Sequence, residues 1–516
     1  MDDEPNNVAR MFRSPVAWAI FFALANLILH FSFNGGYGYF RDELYYIACS
    51  EHLAFGYPDH APLIAFVTKL TRALFGDSLF ALRFFPALAG AAKVFLTGLL
   101  VIEFGGRRFA VALACIGVLV APAYLGIDNF LSMNTFEPVF WTLCAYFAIL
   151  AVKRRDARFW LWFGIVAGIG LMNKHSMLIF GLAMVVGLLL TSERRVFLDK
   201  WIWIGGAAAF LIFLPNLVWQ VQNDWATIEL LRNVEATGKN VALAPHEFVW
   251  QQIFMLLPPT ALVWLGGIWF FLCDKSGRRF RFLEITYLVA LALMILLKAK
   301  TYYLLPIYPF LFAGGAVLIE SLRTKNFALR VAKFAYPVVL LIFGLITLPL
   351  ALPVLSVENF LRYQETLGIV PPKTEAAHEG VLPQIYGDQF GWQEMTAKVA
   401  EVYNSLPPEE RAKTAIFANN YGQAGAIDFF GGRYGLPKAI SPHQSYFLWG
   451  PRGYTGEVMI ILGDEREDAE KLCQSVEEAA EVNHPYSMNE EKYKILVCRG
   501  LREPLPEAWH KLKHWR

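Results

Sequence analysis

The strongest constraint on this chain is a series of apolar runs, each about 17–25 residues long, joined by short polar connections. A run of that length crosses a hydrocarbon core of roughly 30 Å as a helix, the conformation that satisfies its own backbone hydrogen bonds. In order they give about eleven spans, near 15–33, 83–104, 109–127, 133–152, 158–173, 176–191, 201–221, 249–272, 282–298, 304–320 and 332–352. Composition agrees: 56% of the residues are hydrophobic and only 17% charged, against about a quarter charged in an ordinary soluble domain. The first run has no small-residue cleavage site after it and is expected to be a retained signal anchor. With a net charge of +2 and no basic-aromatic groove, nucleic acid is not an expected partner.

Basic residues cluster in alternate connections. Arg10 and Arg13, Arg107-Arg108, Lys153-Arg154-Arg155, Arg194-Arg195, the group around Arg278-Arg279, and Arg323 to Lys333 all fall on one side of the series. By the positive-inside bias this side is cytoplasmic, which predicts an N-terminus inside and a C-terminal part outside. The expected domains are therefore 1–352, a transmembrane part with an external loop at 34–82, and 353–516, an extracytoplasmic α/β domain. In the second, Thr414–Ala418 and Val458–Leu462 read as strands. Ala424–Gly431 and Glu465–Ala480 read as helices. Cys473 and Cys498 are the only cysteines of this domain; an oxidising exterior leaves a disulfide between them open, beside two free thiols.

Once orientation is assigned, the unusual polar residues gather on the external side. Asp42, Glu43, Asp59 and His60 come from the first loop, and Asp128, Asn134 and Glu137 from the second. Lys174 and His175 follow the fifth span, Arg232, Glu235 and His246 lie in 222–248, and Lys298, Lys300, Tyr302 and Tyr303 open the tenth. Ionisable groups at membrane depth are unfavourable and usually face a cavity. One external reaction centre would explain the concentration, with carboxylates for base chemistry and cations for phosphate. A transporter or flippase would place polar residues through the bilayer midplane on matched, interrupted helices, and no internal repeat is visible.

Three stretches carry a resemblance: Arg41-Asp42-Glu43-Leu44-Tyr45-Tyr46, Gly56-Tyr57-Pro58-Asp59-His60-Ala61-Pro62-Leu63, and Lys300-Thr301-Tyr302-Tyr303-Leu304-Leu305-Pro306-Ile307-Tyr308-Pro309. With the external runs Asn420–Ala424 and Ser445–Gly450, they resemble glycosyltransferase family 39. This is the protein-mannosyltransferase and aminoarabinose-transferase superfamily of GT-C enzymes, here in its bacterial Rgt-like branch. The resemblance implies a polytopic α-helical GT-C fold with a C-terminal soluble α/β domain. It also implies transfer of a sugar from a polyprenyl-phosphate donor to a lipid A, glycan, lipid or protein acceptor on the extracytoplasmic face.

The acidic first-loop residue of that family matches Asp42, beside Glu43. An inverting transfer needs a base at the acceptor hydroxyl and stabilisation of the departing phosphate. Asp42 is the expected base and Asp59 the next carboxylate. Relatives carry a phosphate-facing lysine where this chain has His60. The donor-phosphate and substrate contacts are therefore expected among Arg41, His60, Lys174, Arg232, Lys298, Lys300, Tyr302, Tyr303 and Tyr308. Because some relatives hold a divalent ion near the first loop, Asp59 with His246 is the metal site left open. Each assignment has a plainer counterpart: Glu43 as a helix cap, Lys298 and Lys300 as snorkelling span ends, the tyrosines as an interfacial belt, and His246 as a surface residue.

Overall fold

The computed structural model describes residues 14–369, 375 and 379–515; Arg10 and Arg13 lie outside them. Helices stand at the place of every expected span, but they are not uniform. Among the described residues six are long and apolar enough to cross a membrane: Pro15–Phe33, Leu79–Glu103, Met133–Arg154, Lys200–Gln222, Thr301–Ser321 and Phe327–Ala351. The number rises to eight if each of two bent pairs is one span.

Proline explains two of the interruptions. The expected span 109–127 divides into Arg108–Leu119 and Pro122–Ile127, because Pro122 lacks a backbone donor and disfavours helical geometry at Ala121. The expected span 249–272 becomes Pro245–Met255 and Pro258–Cys273, bent by 99°. There Leu257 takes a left-handed φ of 73° just before Pro258. The run 176–191 gives Met177–Leu189, bent by 110° from Ser192–Leu198. The expected span 282–298 forms the helix Arg281–Leu296.

The described chain forms two compact units, and neither is one continuous stretch. The first comprises Met1–Gly36, Phe80–Leu217 and Ala242–Thr366. Its core is helix on helix, built from residues such as Leu113, Ala145, Phe180, Phe271, Leu311 and Phe312. The second unit comprises Tyr37–Leu79, Val218–Val241 and Leu367–Arg516. It joins most of the first loop to the C-terminal part.

The second unit is built on a four-stranded sheet of order β1-β2-β4-β3. Its strands are β1 (Thr414–Ala418), β2 (Val458–Leu462), β3 (Cys473–Val482) and β4 (Tyr493–Leu501). β1 and β2 are parallel and buried throughout, as nearly continuous apolar runs should be. β4 pairs antiparallel with both β2 and β3. The expected helix Glu465–Ala480 is corrected here: only Arg466–Leu472 is helical, and Cys473–Val482 is a strand. Its exposed glutamates and partial alternation suit an edge strand, where acidic side chains guard the unpaired side. Cys473 and Cys498, on adjacent strands, form a disulfide with their Cα atoms 5.8 Å apart.

Candidate active site

The first loop is largely helical. Arg41–Glu51 begins after Phe40, whose N–H donates to Glu43 Oε2 at 2.9 Å. Glu43 is fully buried, so of the two acidic residues in this first turn it is the one that caps the helix. Arg41 N–H donates to the Asp388 carbonyl at 3.0 Å, tying the start of the helix to the C-terminal part of the same unit.

Asp42 therefore sits in the first turn of a fixed helix. Its Oδ1 accepts the Tyr421 hydroxyl at 2.8 Å. Tyr421 is the first residue of the helix Tyr421–Phe430, whose Asn420 cap accepts the N–H groups of Gly422 and Gln423 at 2.9 and 3.0 Å. The two helices meet through glycines. A Cβ on Gly422 would lie 2.7 Å from Arg41 Cγ, and one on Gly425 would lie 2.9 Å from the Leu44 carbonyl carbon. The Arg41 guanidinium lies 5.2 Å from the Tyr421 ring centroid and pairs with Glu490.

Asp59 is held in the same manner. Its Oδ1 accepts the Tyr45 hydroxyl at 2.8 Å, and Tyr45 Oη also lies 2.6 Å from Ser445 Oγ. Tyr45 and Tyr421 are neighbours, with ring centroids 4.6 Å apart. Each tyrosine thus presents one carboxylate, and the pair forms one aromatic wall. His60 is 2% exposed. Its Nδ1 lies 2.9 Å from the Ala61 carbonyl and its ring stacks on Tyr57 with centroids 4.4 Å apart. Enclosed this way, it organises the loop, and its side chain is not displayed as a surface cation.

Burial is the largest influence on Asp42 and raises its pKa; the Tyr421 hydrogen bond and Arg41 oppose this, while Asp59 and Glu375 add to it. Tyr421 is pushed far above the usual phenol range, first by burial and then by the Asp42 charge, so it stays a donor. Glu491, which accepts from Asn420 Nδ2 at 3.0 Å and Gln423 Nε2 at 2.9 Å, is also raised by burial. The arrangement is a partly buried carboxylate with a neutral donor on one oxygen and a second carboxylate nearby. Such a group takes a proton more readily than an ordinary aspartate does.

Other expected contacts belong to the first unit. Lys174 Nζ donates to Asn134 Oδ1 at 2.8 Å and Glu137 Oε2 at 3.0 Å. It also lies 3.6 Å from the Tyr303 ring centroid and 5.8 Å from that of Tyr302. Ser176 donates to the other Glu137 oxygen. Lys174, Tyr302 and Tyr303 are thus brought together, around a carboxylate that sequence reading placed in a cavity wall. Tyr308 is fully buried, with its hydroxyl on Gln252 Oε1 at 3.2 Å and its ring against Trp264 and Tyr287. It is a core residue. Lys298 is exposed and follows the helix Arg281–Leu296 in a left-handed conformation, φ 49°, with Lys300 part-buried beyond it. His246 is exposed on the first turn of Pro245–Met255, and Arg232, in the second unit, is exposed on Ala226–Thr237. Among the described residues no group of three or more His, Cys, Asp or Glu side chains is set to hold a metal ion.

Sequence reading did not assign roles to Tyr421, Tyr45 or Ser445. All three stood in the quoted stretches, but a pairing across 379 residues leaves no local signal. It also missed Lys93, fully buried within Phe84–Glu103, whose Nζ lies 2.7 Å from Asp128 Oδ2. Lys93 and Asp128 are 0% and 1% exposed. The pair is enclosed among helices.

Residues 59–219 match the profile of the family described as dolichyl-phosphate-mannose-protein mannosyltransferase. The lipid A galacturonosyltransferase RgtD of Rhizobium johnstonii is 26% identical over 202 residues, 38% of this chain. The match spans 41% of that relative's length. The crystal structure of ArnT from Cupriavidus metallidurans bound to undecaprenyl phosphate superposes with a TM-score of 0.61, over 93% of this chain and 97% of that one. Its apo form gives 0.59, and identity is 14% in both. Over residues 59–219 the chain is thus similar to that mannosyltransferase family. At that identity the ArnT likeness establishes the GT-C fold, and the small C-terminal sheet domain belongs to it. The first-loop and Lys300–Pro309 motifs that resemble family 39 thus stand in a fold of the expected kind.

Proposed function

We propose that the protein is a membrane glycosyltransferase that moves a sugar from a polyprenyl-phosphate donor to an acceptor on the extracytoplasmic face. The observation that carries this reading is Asp42, part-buried, raised in pKa, and fixed by the Tyr421 hydroxyl beside the Asp59–Tyr45 pair. As the acceptor oxygen bonds to the anomeric carbon, Asp42 takes the hydroxyl proton. The bond from that carbon to the phosphate oxygen breaks, and the phosphate leaves with its electron pair. Tyr421 holds Asp42 in one orientation, which lowers the entropy cost of reaction. Lys174, between Glu137 and Tyr303, is the cation best placed in the first unit for a phosphate.

A lipid A-type acceptor is favoured by the galacturonosyltransferase relative, and undecaprenyl phosphate as carrier by the ligand in the ArnT crystal structure. An inner-membrane location with an external C-terminal part is supported by the alternating basic connections and by the Cys473–Cys498 pair, which suits an oxidising exterior. The flippase reading is disfavoured by the enclosure of Lys93 and Asp128, since a conducting path would leave such groups accessible. The test is a purified assay with lipid A and a set of undecaprenyl-phosphate sugars, read by mass spectrometry. Transfer that disappears in Asp42→Asn supports the reading. Sugar-lipid translocation in vesicles without transfer would replace it.

A further inference from the structure

Both tyrosines that hold the carboxylates rest on one short segment, residues 441–445. The His443 ring stacks on Tyr421 at 5.0 Å and 21°, and its Nδ1 accepts the Tyr421 backbone N–H at 3.2 Å. Two residues on, Ser445 meets the Tyr45 hydroxyl through Oγ at 2.6 Å and donates its own N–H to it at 3.3 Å. Between them Gln444 has φ 49°, a left-handed conformation that is unfavourable for a non-glycine residue. Such strain persists only where surrounding contacts over-determine it.

Those contacts come from the C-terminal tail. Trp515, 5% exposed, donates its indole N–H to the Gln444 carbonyl at 3.0 Å, and His514 N–H donates to the Pro442 carbonyl at 2.9 Å. On its other side the tail grips the helix Ala226–Thr237. Asn233 Nδ2 donates to the Trp515 carbonyl at 2.9 Å, and Lys513 pairs with Glu229 at 2.6 Å. Lys513 Nζ also lies 4.0 Å from the Trp515 ring centroid, which fixes the indole from above.

We propose that Trp515 is a positioning residue for the transfer reaction: through Gln444 it clamps the segment that sets Tyr421 and Tyr45, and with them both carboxylates. The inference rests on the transferase reading above. Trp515 touches neither carboxylate, so its effect must pass through the tyrosines. Without the indole donor, residue 444 can relax toward right-handed geometry, which shifts His443 and Ser445 together.

The test uses the full-length protein and the same transfer assay. Trp515→Phe keeps an aromatic six-membered ring and removes the five-membered ring that carries the N–H donor to Gln444. It should lower kcat about tenfold, with donor KM within about twofold, since small misplacements act on the transition state more than on binding. The acid limb of the pH–rate profile should move upward as Tyr421 loosens from Asp42. Adding Gln444→Gly, which removes the cost of the left-handed turn, should restore most of kcat. Wild-type kcat and acid limb in Trp515→Phe overturn the proposal. So does a lowered melting temperature with normal turnover in the folded fraction, or a kcat loss that Gln444→Gly leaves untouched. Absence of transfer by the unmodified protein would instead overturn the transferase reading.

Discussion

Tyr421 donates its hydroxyl to Asp42 Oδ1 at 2.8 Å, joining residues 379 positions apart in the chain. The bond holds one carboxylate oxygen and partly offsets the burial that raises the Asp42 pKa. A base must be ionised to act, so turnover should fall as pH drops through a value above the 3.8 of an ordinary aspartate. Tyr421→Phe removes the offset and should move that acid limb to still higher pH. Asp42→Asn should remove the limb along with about 10²–10⁴ of the rate. A pH–rate series on the three proteins checks both statements, and an unmoved limb in Tyr421→Phe would detach Asp42 from the observed titration.

Asp59 shares the wall but reaches it through Tyr45, which is also bound to Ser445. Asp59→Asn should be severe, whereas Tyr45→Phe should keep donor KM and lose turnover, because it frees the carboxylate without removing it. The reverse pattern, a raised KM with normal kcat, would make Asp59 a binding group.

Gly425 lies where the helices Arg41–Glu51 and Tyr421–Phe430 approach closely, with no room for a Cβ against the Leu44 backbone. Gly425→Ala should therefore destabilise the second unit by about 1–3 kcal/mol. It should also reduce turnover by displacing Tyr421 from Asp42. Thermal melting with the transfer assay tests this, and an unchanged melting temperature would mean that the helices separate freely.

Lys174 is 7% exposed and Glu137 3%, so their 3.0 Å pair is a buried one. Removing one partner strands the other charge, and Lys174→Met should cost about 3–5 kcal/mol. Adding Glu137→Leu should return much of that stability but not donor affinity, if the ammonium also serves phosphate. Full recovery of donor KM in the double variant would reduce Lys174 to a structural role.

Much of this was legible in the chain before its structure. Hydrophobic length located the helices, because spanning lipid dictates both length and apolarity. β1 and β2 were readable because short apolar runs bounded by polar residues suit buried strands. Glu465–Ala480 reads as one helix because its apolar positions fit both periods. Strand pairing with β4, a non-local contact, decided between them. Asp42 and Asp59 stood out by charge beside a membrane. Tyr421 and Tyr45 did not, since a tyrosine among aromatics looks the same whether it packs or donates. His60 stands where relatives carry a phosphate-facing lysine and is enclosed, and of the two readings open for Glu43, beside the expected base or cap, the structure shows the cap of its own helix. Those distinctions depend on burial and orientation, which spacing alone does not encode.

The cysteine pair tests the placement of the whole second unit. Cys473 begins β3 and Cys498 lies on β4, joined across 25 residues within the sheet. Cys49, Cys115, Cys144 and Cys273 are free, and the chain has six cysteines in all. Protein taken from membranes, denatured and alkylated without reductant should therefore carry four labels, and six after reduction. Cys473→Ser should lower stability by about 2–4 kcal/mol, the range typical of a closed loop of this size. An internal location would keep the thiols reduced. Six labels before reduction would then remove both the disulfide and the external placement of the Asp42 carboxylate that shares its unit.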